Sequence, residues 1–295
     1  MIDANYTLIN IAAGIIFSLL IAGSGYKKGS LSKSGLIGAL IVGTIIFGFG
    51  GWIWFTLLIA FFVSSSMLTK YKFKVKERLA EKFAKGGRRD FWQAIANAGV
   101  GSVIATLLFY HMLTGGMEFK FEIFYTSIFT AAFIGAMSTV TADTWATEIG
   151  VLSKEWPRMI TNWKRVPPGT SGGVSRLGTL CSFAATLFMA FVAILCIELD
   201  ALFHFGKLYY GILWIFPASI IGGLIGSLAD SIMGATVQAI YYCDKCKKET
   251  ERKIHLCGEK TRQIRGISWF SNDLVNFLSS LVGAIVASLI YILLV

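Results

Sequence analysis

Apolar residues fill eight stretches of the chain, at about 6–22, 35–49, 52–68, 91–112, 121–150, 174–198, 208–241 and 273–295. A membrane helix needs about 20 such residues. The pattern therefore predicts an all-α, polytopic membrane helix bundle of about eight spans, forming one integral membrane domain over residues 1–295. Gly50 and Gly51 separate the second stretch from the third, so a tight re-entrant pair is an alternative there. Composition agrees: 55% of the residues are apolar and 15% charged, against about 25% charged in soluble domains. A large soluble core and a disordered chain are both excluded.

The net charge of +10 changes meaning once it is placed along the chain. Of 27 Lys and Arg residues, 25 lie in alternate connections: three in 23–34, nine in 69–90, five in 151–176 and eight in 244–265. The other connections hold only Lys120 and Lys207. That alternation is the positive-inside pattern. It predicts a multi-pass cell-membrane protein with both termini outside and the basic loops in the cytoplasm. The charge then faces anionic membrane lipid or an anionic substrate, and no nucleic-acid partner is expected. Within the 69–90 connection, Val75, Leu79 and Phe83 recur every four residues among Lys and Glu. This describes a basic amphipathic helix on the cytoplasmic surface, either a lid or lipid contact or a solvated connector.

Four acids lie in or at the ends of apolar stretches: Asp143, Glu148, Asp230 and Asp273. Each costs roughly 2.5–3.5 kcal/mol at the centre of a membrane helix, so they demand partners, water or a metal. By the expected topology, Asp143 and Asp230 approach the cytoplasmic ends of their spans. Asn97, Asn272, Asp273 and Asn276 sit in the first turns of spans that start there. Helix amino termini are favourable seats for phosphate, and carboxylates beside phosphates usually hold Mg²⁺. Arg88, Arg89, Lys164 and Arg165 can supply further positive charge for phosphoryl transfer, and Ser171, Gly172 and Gly173, within GTSGGVS, can fold a backbone nest. Asp143 and Asp230 occur in similar settings, Ala-Asp-Thr-Trp and Ala-Asp-Ser-Ile, each with a Gly seven or eight residues upstream. Glu148, five residues past Asp143, points about 140° away on an ideal helix and is the less certain member. The alternatives are a structural ion pair or cap for the acids, helix-linking hydrogen bonds for Asn97 and Asn276, and a plain turn for the glycines.

The blocks GRRDFWQAIANAG (87–99), TADTWATEIG (141–150), GTSGGVS (169–175), GSLADSIMGATVQ (226–238) and SNDLVNF (271–277) resemble the transmembrane protein 19 family, in the family's order and over essentially the whole chain. That family includes phytyl-phosphate kinases. More distantly, Ala-Asp-Thr-x-Ala at 142–146 with Gly150 is similar to the signature of membrane CTP-dependent enzymes, the dolichol kinase and phosphatidate cytidylyltransferase group. The resemblance implies transfer of a terminal phosphoryl group from a nucleoside triphosphate, CTP by this likeness, to a polyprenyl or other isoprenoid monophosphate. It implies Asp143 and Asp230 as metal ligands, with Asn97, Asn272 and Asp273 lining the phosphate site and Glu148, Gln238 and Asn276 among the residues that bind substrate or nucleotide. The expected substrate is an isoprenoid or other lipid phosphate rather than phytyl phosphate itself. A cytidylyltransferase making a CDP-lipid uses nearly the same parts. A lipid or ion transporter would also explain intramembrane acids, but it favours acids through the midplane and an inverted repeat.

Cys181 and Cys196 read as apolar packing. Cys243, Cys246, His255 and Cys257 form C-x2-C-x8-H-x-C within the connection 241–266. Three thiolates and an imidazole suit structural Zn²⁺, although the short H-x-C half leaves free thiols or redox work as alternatives. The charge alternation itself is testable. A cysteine placed at Lys76 or Lys164 is expected to react with an impermeant maleimide only from the cytoplasmic side, and one at Lys207 only from outside; the opposite labelling overturns the orientation.

Overall fold

The computed structural model describes residues 4–77, 87–114, 119–208 and 213–295. Its helices are α1 (Ala4–Lys27), α2 (Lys33–Lys70), α3 (Phe73–Glu77), α4 (Phe91–Thr114), α5 (Phe119–Gly150), α6 (Arg176–Phe205), α7 (Ile215–Thr236) and α8 (Asn272–Leu294). All but α3 are long and apolar enough to cross a membrane, seven in number among the described residues. Large apolar side chains such as Leu107, Leu180, Phe191 and Leu289 face outward, as a lipid-facing surface requires. The amphipathic helix expected in 69–90 begins as α3, while Leu79 and Phe83 lie outside the described residues.

Helix α2 is folded back on itself. Gly51 breaks it with φ 78° and ψ −173°, a conformation open to glycine because it has no Cβ. The first half runs antiparallel to α1, with Gly14 against Phe47 and Gly48 against Ile11. The second half returns Lys70, whose Nζ donates to the Lys28 carbonyl at 2.7 Å. Each half is about 27 Å long at about 1.5 Å per residue. The glycine pair that separates the second and third apolar stretches is thus where the chain turns.

Helix α5 is the centre, touching α2, α4, α6, α7 and α8. Phe133, Ile134 and Met137 are fully buried on it, and Trp54 of α2 stacks on Phe133 with ring centroids 4.2 Å apart. Against α7 and α8 the contact is closer still. Thr139 of α5 occupies the space where a Cβ on Gly226 or on Gly283 would stand. Lipid offers no hydrophobic drive for helix association, so packing through small residues of this kind holds the bundle together.

Among the described residues, the strands lie in two loops at one end. β1 (Arg158–Met159) and β2 (Gly173–Val174) pair antiparallel between α5 and α6. β3 (Ile240–Cys243), β4 (Lys248–Thr250) and β5 (Arg262–Arg265) form an antiparallel sheet in the order β4-β3-β5 between α7 and α8. The two loops meet where Arg265 Nη2 donates to the Ser171 carbonyl at 3.0 Å. Substituting Gly226→Ala is expected to destabilise the bundle by about 1–3 kcal/mol through overpacking on Thr139. Thermal unfolding in detergent measures it, with Gly23→Ala as the control, because a Cβ there meets nothing within 4 Å.

Candidate active site

A polar cavity of about 250 Å³ opens at the end of the bundle that carries the two stranded loops. Helix α5 contributes Asp143, Thr144, Thr147 and Glu148 from its last two turns, and α7 contributes Asp230 and Ser231. The carboxyl groups of Asp143 and Asp230 are neighbours in the cavity. Asp230 is buried and accepts a 3.0 Å hydrogen bond from Ser279 of α8. Two carboxylates this close repel unless a positive charge stands between them.

Helices α4, α6 and α8 all begin at this face, and local capping fixes each start. Asp90 Oδ1 accepts from the Gln93 backbone N–H while Gln93 Oε1 accepts from that of Asp90, both at 3.0 Å, a capping box at the head of α4. Ser175 and Ser271 cap α6 and α8. From these starts Asn97, Asn272 and Asn276 reach the cavity wall. Asn276 Nδ2 donates to Asn97 Oδ1 at 3.4 Å, which leaves Asn276 Oδ1 buried with no protein donor. Ser171, Gly172 and Gly173 also line the cavity.

Arg89 is the basic residue built into this lining among the described residues. Its backbone is bridged to Leu31, donating to the Ser30 carbonyl at 3.0 Å and accepting from Ser32 N–H at 2.9 Å. Its guanidinium donates to Ser66 at 3.0 Å and lies near the Phe61 and Phe62 rings. Burial pulls its pKa below the ordinary value, an effect that Glu148 opposes; the group stays cationic at neutral pH. Glu148 also lines the cavity, although helical geometry aims it away from Asp143. It accepts from Thr69 at 2.6 Å and is ion-paired with Lys76 of α3.

Several sequence-derived positions lie elsewhere. Lys164 and Arg165 are exposed in the β1–β2 loop, held by Met159 N–H donating to the Lys164 carbonyl at 2.9 Å and by a bridge between Arg158 and Arg165. Arg88 is exposed beside Gly29, and Asp273 sits in the first turn of α8; neither lines the cavity. Gln238 is buried one layer behind the wall. It accepts from Ser171 at 2.6 Å and donates to Glu251 at 2.9 Å and to Asn272 at 3.5 Å, tying three cavity residues together. Thr69, Gln93, Ser231 and Glu251 also line the site, although none stands out as a candidate in the sequence. The Asp90-x-x-Gln93 capping box is a signal for the second of these; Glu251 arrives through the β3–β4 hairpin and has none.

A second, apolar slot of about 60 Å³ runs between α1, the folded α2 and α4, lined by residues such as Ala22, Val42, Phe55 and Phe61. It shares Arg89 and Asn97 with the polar cavity.

Residues 16–284 match the protein family described as integral membrane protein DUF92. The chain belongs to this family. Among its relatives is Protein PGR of Arabidopsis thaliana, 35% identical over 278 residues, covering 93% of this chain and 94% of that one. An uncharacterized membrane protein of Methanocaldococcus jannaschii, MJ0933, is 28% identical over 290 residues, 98% of both chains. Protein VTE6, chloroplastic, of Arabidopsis thaliana is 28% identical over 274 residues, 92% of this chain and 68% of that one. No solved structure matches. The membership bears out the resemblance to the transmembrane protein 19 family drawn from the motif blocks.

The Lys76–Glu148 pair connects the basic loop to the cavity, with side-chain exposures of 10% and 21%. Glu148→Gln is expected to cost about 1–3 kcal/mol, because it strands a partly buried ammonium. Lys76→Met with Glu148→Gln is expected to cost less than the sum of the singles. Strict additivity in unfolding measurements would show that the pair is not coupled.

Proposed function

We propose that this protein is a membrane kinase that transfers the terminal phosphoryl group of a nucleoside triphosphate, CTP by the family likeness, to an isoprenoid monophosphate. The observation that carries the reading is the meeting of a carboxylate-bearing polar cavity with an apolar slot at Arg89 and Asn97. A lipid phosphate has that same division, an apolar chain joined to a charged head. With the head-proximal end of the chain at the slot, the phosphate would lie against Arg89, whose guanidinium is already fixed by Ser66 and two aromatic rings. The nucleotide would take the wider part of the cavity, along the Gly169–Gly173 loop and Asn272.

The donor set fits Mg²⁺. Two facing carboxylates need a cation, and Asn276 Oδ1 offers an acceptor without a donor. Asp143 and Asp230 would hold the ion, which would neutralise charge on the triphosphate oxygens. The remaining lining acids are engaged by other groups: Glu148 is paired with Lys76, and Glu251 accepts from the Gln238 amide. With Lys164 and Arg165 turned outward, Arg89 and the carboxylate-held cation carry the balance against the substrates' charge.

In the reaction, an oxygen of the lipid phosphate forms a new bond to the terminal phosphorus. The bond between that phosphorus and its bridging oxygen breaks, and the nucleoside diphosphate leaves with the electron pair. An ionised phosphate needs no base to remove a proton, so the protein's work is alignment and charge stabilisation. In the orientation read from the basic loops, the site faces the cytoplasm, both termini lie outside, and the two halves of α2 each count as a pass.

The test supplies purified protein with Mg²⁺, prenyl monophosphates and nucleoside triphosphates labelled in the terminal phosphate. Label in a prenyl diphosphate is the expected result. Label released only as pyrophosphate would favour a cytidylyltransferase, and no turnover would favour transport. Asp143→Asn and Asp230→Asn are each expected to lower turnover by on the order of 100-fold or more without unfolding the bundle. Full activity in either variant would refute the site.

A further inference from the structure

We propose that Cys243, Cys246, His255 and Cys257 form a structural zinc site that holds the β3–β5 sheet against the cavity wall. The four residues come from two separate turns, yet their ligand atoms all lie within 4.8 Å of one another. Cys243 Sγ is 3.7 Å from Cys257 Sγ, and His255 Nδ1 is 3.2 Å from the same sulfur. A tetrahedral zinc ion with Zn–S near 2.3 Å and Zn–N near 2.05 Å sets its ligands roughly 3.8 Å apart for two sulfurs and 3.5 Å for sulfur and nitrogen. The sulfurs are well beyond the roughly 2.05 Å of a disulfide.

The backbone supports the same reading. Each turn places its second ligand immediately before a left-handed residue, Lys247 at φ 53° after Cys246 and Gly258 at φ 84° after Cys257. The second turn is closed by His255 N–H donating to the Glu259 carbonyl and Gly258 N–H donating to that of His255, both at 2.9 Å. Two matching turns thus present a Cys-Cys and a His-Cys pair to one point. Cys243 and His255 are buried there, a placement that suits ligands better than solvent-facing thiols. Lys245 also pairs with Glu259 at 3.4 Å, an exposed link between the two turns.

The sheet in turn positions part of the cavity. Gln238 lies just before β3 and Glu251 just after β4, and the 2.9 Å bond between these two places Glu251 in the cavity wall. Small sheets without a core of their own depend on such a metal clip. The zinc therefore acts on positioning and touches no reacting atom.

Full-length protein purified in detergent under a phosphine reductant, with no metal added, is expected to carry one zinc per chain by elemental analysis. Cys243→Ser with Cys257→Ser should lose it while the helical circular dichroism persists. If that variant fails to fold, wild type read with Co²⁺ decides the matter. Tetrahedral d–d absorption with thiolate charge-transfer bands supports the site, and His255→Ala should alter those bands. Zinc removal should also speed proteolysis within 241–266 in wild type. Reduced, folded protein with neither zinc nor a cobalt–thiolate band overturns the proposal, as does a metal-free Cys243–Cys257 disulfide. Neither result bears on the kinase assay, so the two readings fail separately.

Discussion

The structure rests on how closely α5, α7 and α8 approach one another around Thr139. Gly226 and Gly283 leave no room for a side chain there, so the backbones of α7 and α8 both approach α5 closely at Thr139. The close approach also fixes the residues one turn further along each helix. Asp143 comes four residues after Thr139, Asp230 four after Gly226, and Ser279 four before Gly283. A turn of helix carries each residue along the same face. The carboxyls of Asp143 and Asp230 therefore meet, and Ser279 reaches Asp230. Looser packing would separate the acids and leave each with a desolvation cost and no shared cation to offset it.

Around this pair the polar groups are held from behind. Gln238 is almost completely buried and binds Ser171, Glu251 and Asn272, which come from three different chain segments. A buried amide with its oxygen and nitrogen both engaged rigidifies what it touches, because any one partner's movement leaves a polar atom unpaired. Arg89 plays the matching part on the other side, anchored by its backbone to Ser30 and Ser32 and by its side chain to Ser66.

Much of this is legible in the sequence because membrane burial writes itself into composition. The apolar stretches mark the long helices, and Gly50-Gly51 marks the corner of α2. The two Ala-Asp settings with upstream glycines also carry structural meaning. Gly135 and Gly222, each eight residues before its aspartate, both pack on Gly283 and Ala287 of α8. The two acids are thus delivered by equivalent contacts on a common helix. The direction in which loop side chains point is not legible in the same way. Lys164 and Arg165 have the right charge and connection, but the β1–β2 pairing turns them to solvent. Glu251 is one acid among several in a charged loop until the β3–β4 register brings it beside Gln238. Helical angle alone counts against Glu148; the cavity is broad enough that a residue far around the helix still lines it and is met by Lys76 from α3.

The depth of the acids reflects the two solvents that the proposed reaction must join. Asp143 and Asp230 stand about two turns from the ends of α5 and α7 rather than at the middle of the bundle. A nucleotide triphosphate stays in water, whereas an isoprenoid chain stays in hydrocarbon. A site at the midplane would strip the nucleotide of its hydration, and one in the loops would pull the lipid out of the bilayer. A polar cavity that opens toward the loops and touches an apolar slot at Arg89 and Asn97 would serve both proposed substrates at the least desolvation cost. In the proposed reaction one fixed arginine would serve at the junction, because in a low-dielectric wall a single guanidinium acts more strongly on a phosphate than several lysines do in open solvent.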